Sequence, residues 1–348
     1  MTTVTLNRDE QLAVVAEAAR APSAHNTQPA RWSFRSDGQV VLFEDPHTRL
    51  PIADPRGKDA MIGLGAAFEG MCLALSKRGL GLGEPMMSGS IADREGDDSE
   101  ADLVEVARAR LRTTDSVDPL GEFTGVRRTW RGRFDAGFEE NRACLRETVR
   151  SFRDATAITD AGEIDETASM HDAAAWRFMQ QPEYQRELYR WMRFTDRDTR
   201  WTRDGLTADC LGLSPAAGSA ARVLFRPRWF TVLRTLGLAR PILAERAAVR
   251  SATGLVILDC GLGGHWFQGG RDLYRCWLEL TRSGLSACPM SALVDDPRSE
   301  RWLRERYGIR DDVWIVNVLR VGPTPRQAVP RSARLPAAEL LADSNRRT

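Results

Sequence analysis

Histidine is scarce in this chain. Only His25, His47, His171 and His265 occur among 348 residues, and no two stand in HxxxH spacing, which argues against a helical metal-ligand pair and leaves no metal site to expect. The six cysteines (Cys72, Cys144, Cys210, Cys260, Cys276, Cys288) are scattered and form no CxxC pair. That spacing argues against a disulfide framework and a zinc site, and it fits reduced thiols in a cytoplasmic protein. No apolar run approaches the ~18 residues of a membrane span. Met1 to Arg20 holds no apolar stretch followed by a small-residue cleavage site, so no secretory signal is expected there. An excess of one charge is missing too. Lys and Arg number 49 and Asp and Glu 48, a net charge of +1, so no overall field gathers nucleic acid or an acidic membrane surface. The expected partner is a small molecule, with neither nucleic acid nor membrane.

What is present is ordinary for a globular chain. It is 42% hydrophobic and 28% charged, with length for one large or two modest domains. Asn7 caps a helix over 7–20, with Glu10 at its third position and Leu12, Val15, Ala16 and Ala19 on one face; Pro22 stops it. Arg31–Arg35 and Val40–Asp45 read as a hairpin across Ser36-Asp37-Gly38-Gln39. Lys58–Arg78 is a helix apolar on most sides, hence buried or at an interface, with Gly79 as its cap. Leu103–Leu111 alternates like a strand, with one slip at Val106-Ala107, and Glu95–Glu100 reads as an acidic, exposed loop. Helical patterns follow at 139–153, 163–180 and 182–194. Residues 195–246 look irregular, with exposed-looking Trp201, Phe225, Trp229 and Phe230; a lid over a site and a surface excursion fit equally. Gly254–Cys260 is an apolar strand, Phe267–Ser283 a helix ended by Gly284, and Val313–Val321 a strand. A long apolar helix, Gly-Leu and a later strand occur twice, as expected of a duplicated unit.

Two segments carry chemistry. Pro22-Ser23-Ala24-His25-Asn26-Thr27-Gln28-Pro29 offers short polar groups on a proline-limited loop, suited to a flat hydrogen-bonding ligand. Arg127-Arg128-Thr129-Trp130-Arg131 offers guanidinium forks matched to phosphate oxygens. Other motifs fail on chemistry. Gly261-Leu262-Gly263-Gly264-His265-Trp266 follows a strand like a dinucleotide fingerprint, yet Trp266 stands where a third glycine would let the helix pack closely. Gly212-Leu213-Ser214-Pro215-Ala216 ends in Ala where a nucleophile elbow needs Gly. The basic and aromatic mix at 222–234 suggests nucleic acid, but the balanced net charge argues against it.

These segments resemble motifs of the FMN-dependent nitroreductase family. Pro22 to Pro29 is similar to its P-S-x-x-N-x-Q-P loop, which touches the flavin from one subunit. Arg127 to Arg131 is similar to its R-R-[ST]-x-R clamp, which grips the phosphate from the other. Gly284-Leu285-Ser286-Ala287-Cys288-Pro289-Met290-Ser291 resembles the Gly-Leu segment that passes the ring near N5, and Arg320 the basic residue of the last strand. The resemblance spans roughly residues 8–322. Family members carry Trp after Gln-Pro, where this chain has Ala30 and then Trp32. Each motif occurs once here, so the chain resembles a fused pseudo-dimer that kept one site, in a subgroup that includes flavin-sequestering proteins with a lid.

The resemblance implies an α+β fold of nitroreductase type, with mostly antiparallel sheets flanked by helices. It implies a first half at 1–120, a second half at 121–322 with the lid candidate 195–246, and a C-terminal arm at 323–348. It implies a monomer acting as an internal pseudo-dimer, with FMN as cofactor and NAD(P)H as candidate electron donor. Hydride would pass through flavin N5 to or from a small organic substrate; FMN storage without turnover is the alternative. The cofactor-binding residues so implied are Pro22, Ser23, Ala24, Asn26, Gln28, Arg127, Arg128, Thr129, Arg131, Pro289, Met290, Ser291 and Arg320. No general acid or base is assigned, since the cofactor carries the chemistry.

Overall fold

Local chemistry sets the first helix, α1 (Arg8–Ala18). The Glu10 amide donates to the Asn7 side chain at 3.0 Å, and the Asn7 amide donates back to the Glu10 carboxylate at 2.8 Å, a reciprocal cap. The buried face is Val14, Val15 and Ala18. Ala16, expected to share it, is exposed, because the next long helix meets α1 along the Ala18 side. The structure is a computed structural model, and it describes residues 4–88, 103–261, 265–325 and 331–342. The acidic loop expected at Glu95–Glu100 lies outside them.

The first sheet joins β1 (Ala30–Phe34), β2 (Gln39–Glu44), β3 (Leu80–Leu82), β4 (Met86–Met87) and β5 (Val104–Thr113) in the order β1-β2-β5-β3, with β4 also on β5. All its pairings are antiparallel. The expected slip is a β-bulge: Leu42 faces Ala107 and Phe43 faces Glu105, leaving Val106 as the extra residue. Between β2 and β3 runs α2 (Lys58–Ser76).

The second half repeats the plan with a long insertion. It runs through α3 (Glu139–Arg150), β6 (Ala155–Ile158), α4 (Ala161–Met179), α5 (Pro182–Trp191), β7 (Met192–Arg193), β8 (Leu206–Thr207), α6 (Pro215–Leu224), α7 (Pro227–Thr235), α8 (Ala239–Leu243) and α9 (Arg246–Arg250). Then come β9 (Gly254–Gly261), α10 (Trp266–Arg282), β10 (Ser286–Pro289), α11 (Ala292–Asp295), α12 (Pro297–Tyr307), β11 (Val313–Gly322) and, in the arm, α13 (Ala337–Leu340). The second sheet has the order β10-β11-β9-β6, again antiparallel throughout. Read from the other edge it matches the first: β6 answers β1, β9 answers β2, β11 answers β5 and β10 answers β3. Both long helices end at a glycine of positive φ, Gly79 (+68°) and Gly284 (+76°), which turns the chain directly into an edge strand.

The helices α2 and α10 form the centre. A Cβ on Gly65 would stand 1.9 Å from the Phe267 carbonyl oxygen, and one on Gly270 would stand 2.0 Å from that of Ile62. Only glycine permits backbones to approach this closely. By length and composition α2 is apolar enough to cross a bilayer, more than the run-based reading allowed. Its Leu64, Met71 and Leu75 are wholly buried inside the protein.

Within 195–246, residues 195–214 are irregular as expected, turns and bends around β8, but the rest is helical. It forms α6, α7 and α8, and the prolines that read as loop punctuation open helices instead: Pro215 and Pro227 stand at first-turn positions, where a missing N–H costs nothing. Of the four aromatics, Trp229 alone is exposed (54%), while Phe230 is buried. Phe225 stacks on Phe230 at 5.9 Å between centroids and meets Phe194 at 6.1 Å. The arm returns to the first half. Leu341 bridges Trp32 in parallel, and the Ala342 amide donates to the Trp32 carbonyl at 2.7 Å.

Candidate active site

The loop after α1 holds unusual backbone. His25, Asn26 and Gln28 have φ of 47°, 57° and 56°, and among the described residues no other non-glycine has positive φ. Asn tolerates this region, His and Gln less so, and each such residue persists only where its surroundings over-determine it. The surroundings are visible. The Gln28 amide donates to Ser23 Oγ at 3.0 Å. Asn26 Nδ2 donates to the carbonyls of Gly205 (3.2 Å) and Ala333 (3.0 Å), and its Oδ1 accepts from Arg334 at 2.7 Å. Gln28 Nε2 donates to the Arg203 carbonyl at 2.8 Å, and its Oε1 accepts from the Leu335 amide at 2.9 Å. Thus Asn26 and Gln28 spend their amides on the insertion and the arm. They hold the loop that presents Pro22, Ser23, Ala24 and His25.

Those four residues line a cavity of about 790 Å³. Its wall includes Ile62, Gly63 and Ala66 of α2, Leu273 and Trp277 of the adjoining α10, and Cys288 and Pro289 of β10, with Ser291 just beyond. Arg131 enters from the second half, and Leu206 with residues of the 237–246 stretch closes part of the far side. Among the expected residues, Pro22, Ser23, Ala24, Arg131, Pro289 and Ser291 stand in this wall, whereas Asn26, Gln28, Arg127, Arg128, Thr129, Met290 and Arg320 do not. Thr129 forms a parallel bridge to Ala287. Met290 is buried, and fully buried Arg320 donates to the carbonyls of Gly132 (2.8 Å) and Arg131 (2.7 Å). It shapes the 131–132 turn rather than facing the cavity.

Behind Trp277 lies a cluster of guanidinium groups. Arg127 is buried, stacks over the Trp277 ring at 4.5 Å and donates through Nη2 to the Arg20 carbonyl at 3.0 Å. Its Nε and Nη1 have no partner, and the Tyr274 hydroxyl beside it lies outside hydrogen-bond geometry. Burial and the neighbouring Arg127 push Arg334 down to about 10. Burial, Arg331, Arg127 and Arg20 lower Arg128. Among the described residues none of these five arginines joins a carboxylate ion pair. A buried guanidinium with two spare donors, among other arginines and with no acid beside it, has the chemistry to accept an anion. Sequence reasoning found Arg127 and Arg128 but missed Arg334, which comes from the distant arm.

Other unpaired atoms belong to residues of the cavity wall itself. His25 Nδ1, His171 Nδ1 and Trp277 Nε1 are buried without partners, and all three residues line the cavity. Desolvation holds His25 down to about 4, with Arg131 adding to the effect and Asp59 opposing it; the imidazole is neutral at pH 7. Carboxylates gather at another edge. Lys58, buried at the start of α2, bonds Asp295 and stands 3.6 Å from Asp59. Burial, then Asp59, holds Asp295 up to about 7 and Asp54 up to about 6.

An acid whose folded pKa is raised stabilises the fold fully below its unfolded value near 4, and that contribution fades as pH rises through the folded value. Wild type should therefore lose stability relative to Asp295→Asn as pH climbs from about 4 to about 7, by at most about 1.4 kcal/mol per pH unit. Thermal melts of the two proteins across that window check this. The lowered His25 has the opposite sign, and the difference between the two proteins cancels it.

No family model matches the chain. Part of it is similar to mycobacterial proteins named as nitroreductases. Over 62 residues it is 40% identical to a candidate NAD(P)H nitroreductase, acg, of Mycobacterium tuberculosis, a stretch that is 18% of each chain. It is 39% identical over 62 residues to an uncharacterized protein of the same organism, 17% of this chain and 18% of that one. The chain thus spans under a fifth of the length of these relatives. Among solved structures, it is 20% identical to the FMN and NADPH-dependent nitroreductase NfnB from sphigopyxis sp. strain HMH, with TM-score 0.33 over 62% of this chain and 96% of that one. It is 15% identical to the FMN-dependent nitroreductase NfnB from Mycobacterium smegmatis in complex with NADPH, with TM-score 0.34 over 61% and 93%.

Proposed function

We propose that this chain is an FMN-dependent oxidoreductase of nitroreductase-like fold, a cytoplasmic monomer that acts as an internal pseudo-dimer with one flavin site. One observation carries the reading: across a single cavity, a strained loop of the first half faces Arg131, Pro289 and Ser291 of the second, with unpaired donors behind the wall. The topological match between the sheets supports dividing the chain at about residue 120, with 121–322 as the second half. The sequence relatives named as NAD(P)H nitroreductases support NAD(P)H as donor and favour turnover over storage.

The residues present fit the cofactor. Arg127, with two spare N–H donors, and its neighbours Arg128 and Arg334 would hold the phosphate; Thr129 would keep the clamp in register through its bridge to β10. Ser23, Ala24, His25 and the Pro289–Ser291 segment would border the ring, with Pro22 limiting the loop's freedom. When bound, the flavin supplies hydride transfer at N5 to or from a small organic substrate. The chain's own groups orient it and exclude water, with 237–246 covering the far side as part of a lid. Neutral His25 and His171 each offer one unpaired ring nitrogen to ligand.

Anaerobic titration of the purified chain with FMN, followed by NADPH and NADH, tests this. One FMN per chain, then bleached by a nicotinamide, is expected. Two per chain ends the single-site reading, none ends the flavin reading, and a bound flavin that stays oxidised ends the reductase reading.

A further inference from the structure

The balanced net charge conceals a segregated surface. Residues 210–244 hold Arg222, Arg226, Arg228, Arg234 and Arg240 and no aspartate or glutamate. The same stretch exposes large apolar side chains. Trp229 (54%), Val232 (46%) and Leu236 (64%) stand at positions i, i+3 and i+7 along α7 and its C-terminal turn, hence on one stripe. Leu238 (52%) and Ile242 (55%) add one more turn on α8. The opposite face of this cap is its small core, with Phe230 and Ala239 buried. Arg234 is tied to the Gln180 carbonyl at 2.6 Å. Among the described residues Arg222, Arg226 and Arg228 make no ion pair, and all three are exposed.

An exposed apolar stripe is a liability in water unless something covers it. Arginines unaccompanied by acids around an apolar stripe that includes Trp match the headgroup layer of an anionic bilayer, where Trp and aliphatic side chains enter the acyl boundary and guanidinium groups meet phosphate. We propose that α7 and α8 form a docking face for anionic phospholipid membranes, a peripheral contact distinct from the flavin reading and independent of it. The expectation of no membrane partner rested on the sum of charges, and this surface departs from that sum. The face also lies over the cavity: Gly237, Arg240, Pro241 and Leu243 line the cavity, while Leu238 and Ile242 of the same segment are exposed outside. Membrane contact would set this part of the cavity wall against the lipid.

Co-sedimentation with vesicles of equimolar phosphatidylglycerol and phosphatidylcholine, against phosphatidylcholine alone, tests the proposal on the full chain. Binding to the anionic vesicles is expected, weakening as added salt shortens the screening length. Arg226→Glu with Arg228→Glu, and separately Trp229→Ser with Leu236→Ser, should each lower binding by about tenfold or more. Their melting curves and FMN titrations should stay those of wild type, because these side chains are exposed. Absence of binding to anionic vesicles overturns the proposal, as does binding that neither double variant reduces. Concentration-dependent self-association lost in the Trp229 variant, without vesicle binding, assigns the stripe to a second copy and overturns it too. Equal competition by duplex DNA without dependence on Trp229 and Leu236 overturns it in favour of a charge-only surface.

Discussion

Arg127→Met should weaken FMN binding by about 1.5–3 kcal/mol, roughly tenfold to 150-fold, while the flavin-free protein melts no lower than wild type. The two halves of this expectation share one cause. The Arg127 guanidinium is buried and stacked on Trp277 with two N–H groups unpaired, and among the described residues no carboxylate neutralises it. Burial of an uncompensated charge costs free energy in the empty protein. A phosphate dianion would satisfy both the charge and the spare donors. Met retains volume and a contact with the indole, so the variant removes charge without opening a cavity. Arg127→Lys keeps the charge but loses the fork and the flat stacking surface, and should fall between the two. Fluorescence titration with FMN and a calorimetric melt without it read the two effects separately. Unchanged FMN affinity would remove Arg127 from the phosphate site.

Gly270→Ala should destabilise the protein by about 3 kcal/mol or more, the largest single effect expected outside the site. The added methyl would stand 2.0 Å from the Ile62 carbonyl oxygen and 2.7 Å from its carbon. These are backbone atoms of α2, which no rotamer change relieves, so the two central helices must move apart. Ile62 and Gly63 line the cavity, so any folded variant should also lose ligand affinity. Gly261→Ala is the control: its Cβ would meet nothing within 4 Å, and its cost should stay within about 0.5 kcal/mol. Chemical denaturation of both variants, compared at constant denaturant slope, gives the difference. Equal midpoints would mean that the helix contact is looser than these distances state.

Much of the architecture was legible because its causes are local. The Asn7–Glu10 cap, the hairpin around Gly38, the glycine stops at 79 and 284 and the slip at Val106 each arise from a few neighbouring residues. The duplicated plan was legible only in outline, as a helix, Gly-Leu and strand, since matching strand orders depend on pairings the sequence does not state. The helices at 215–243 were misread as irregular chain because Pro215 and Pro227 open helices as readily as they mark loops. In the candidate site, residue types drew attention to the right segments, but their division of labour is tertiary. Asn26 and Gln28 look like ligand-facing amides, yet they bind Ala333, Leu335, Gly205 and Arg203. Arg334 carried no local signal, because nothing near it in sequence hints that it ends beside Arg127. Lys58 and Asp295 meet across 237 positions, a pairing no window of sequence contains.

The arm's return to the loop at residue 26 has a consequence for how the protein is made. Asn26 and Ala333 are separated by 307 positions, so on the ribosome the left-handed turn lacks its clasp until those further residues have been made. The loop then takes its final form only after the arm emerges, and removing residues 331–342 would undo a turn made some three hundred positions earlier.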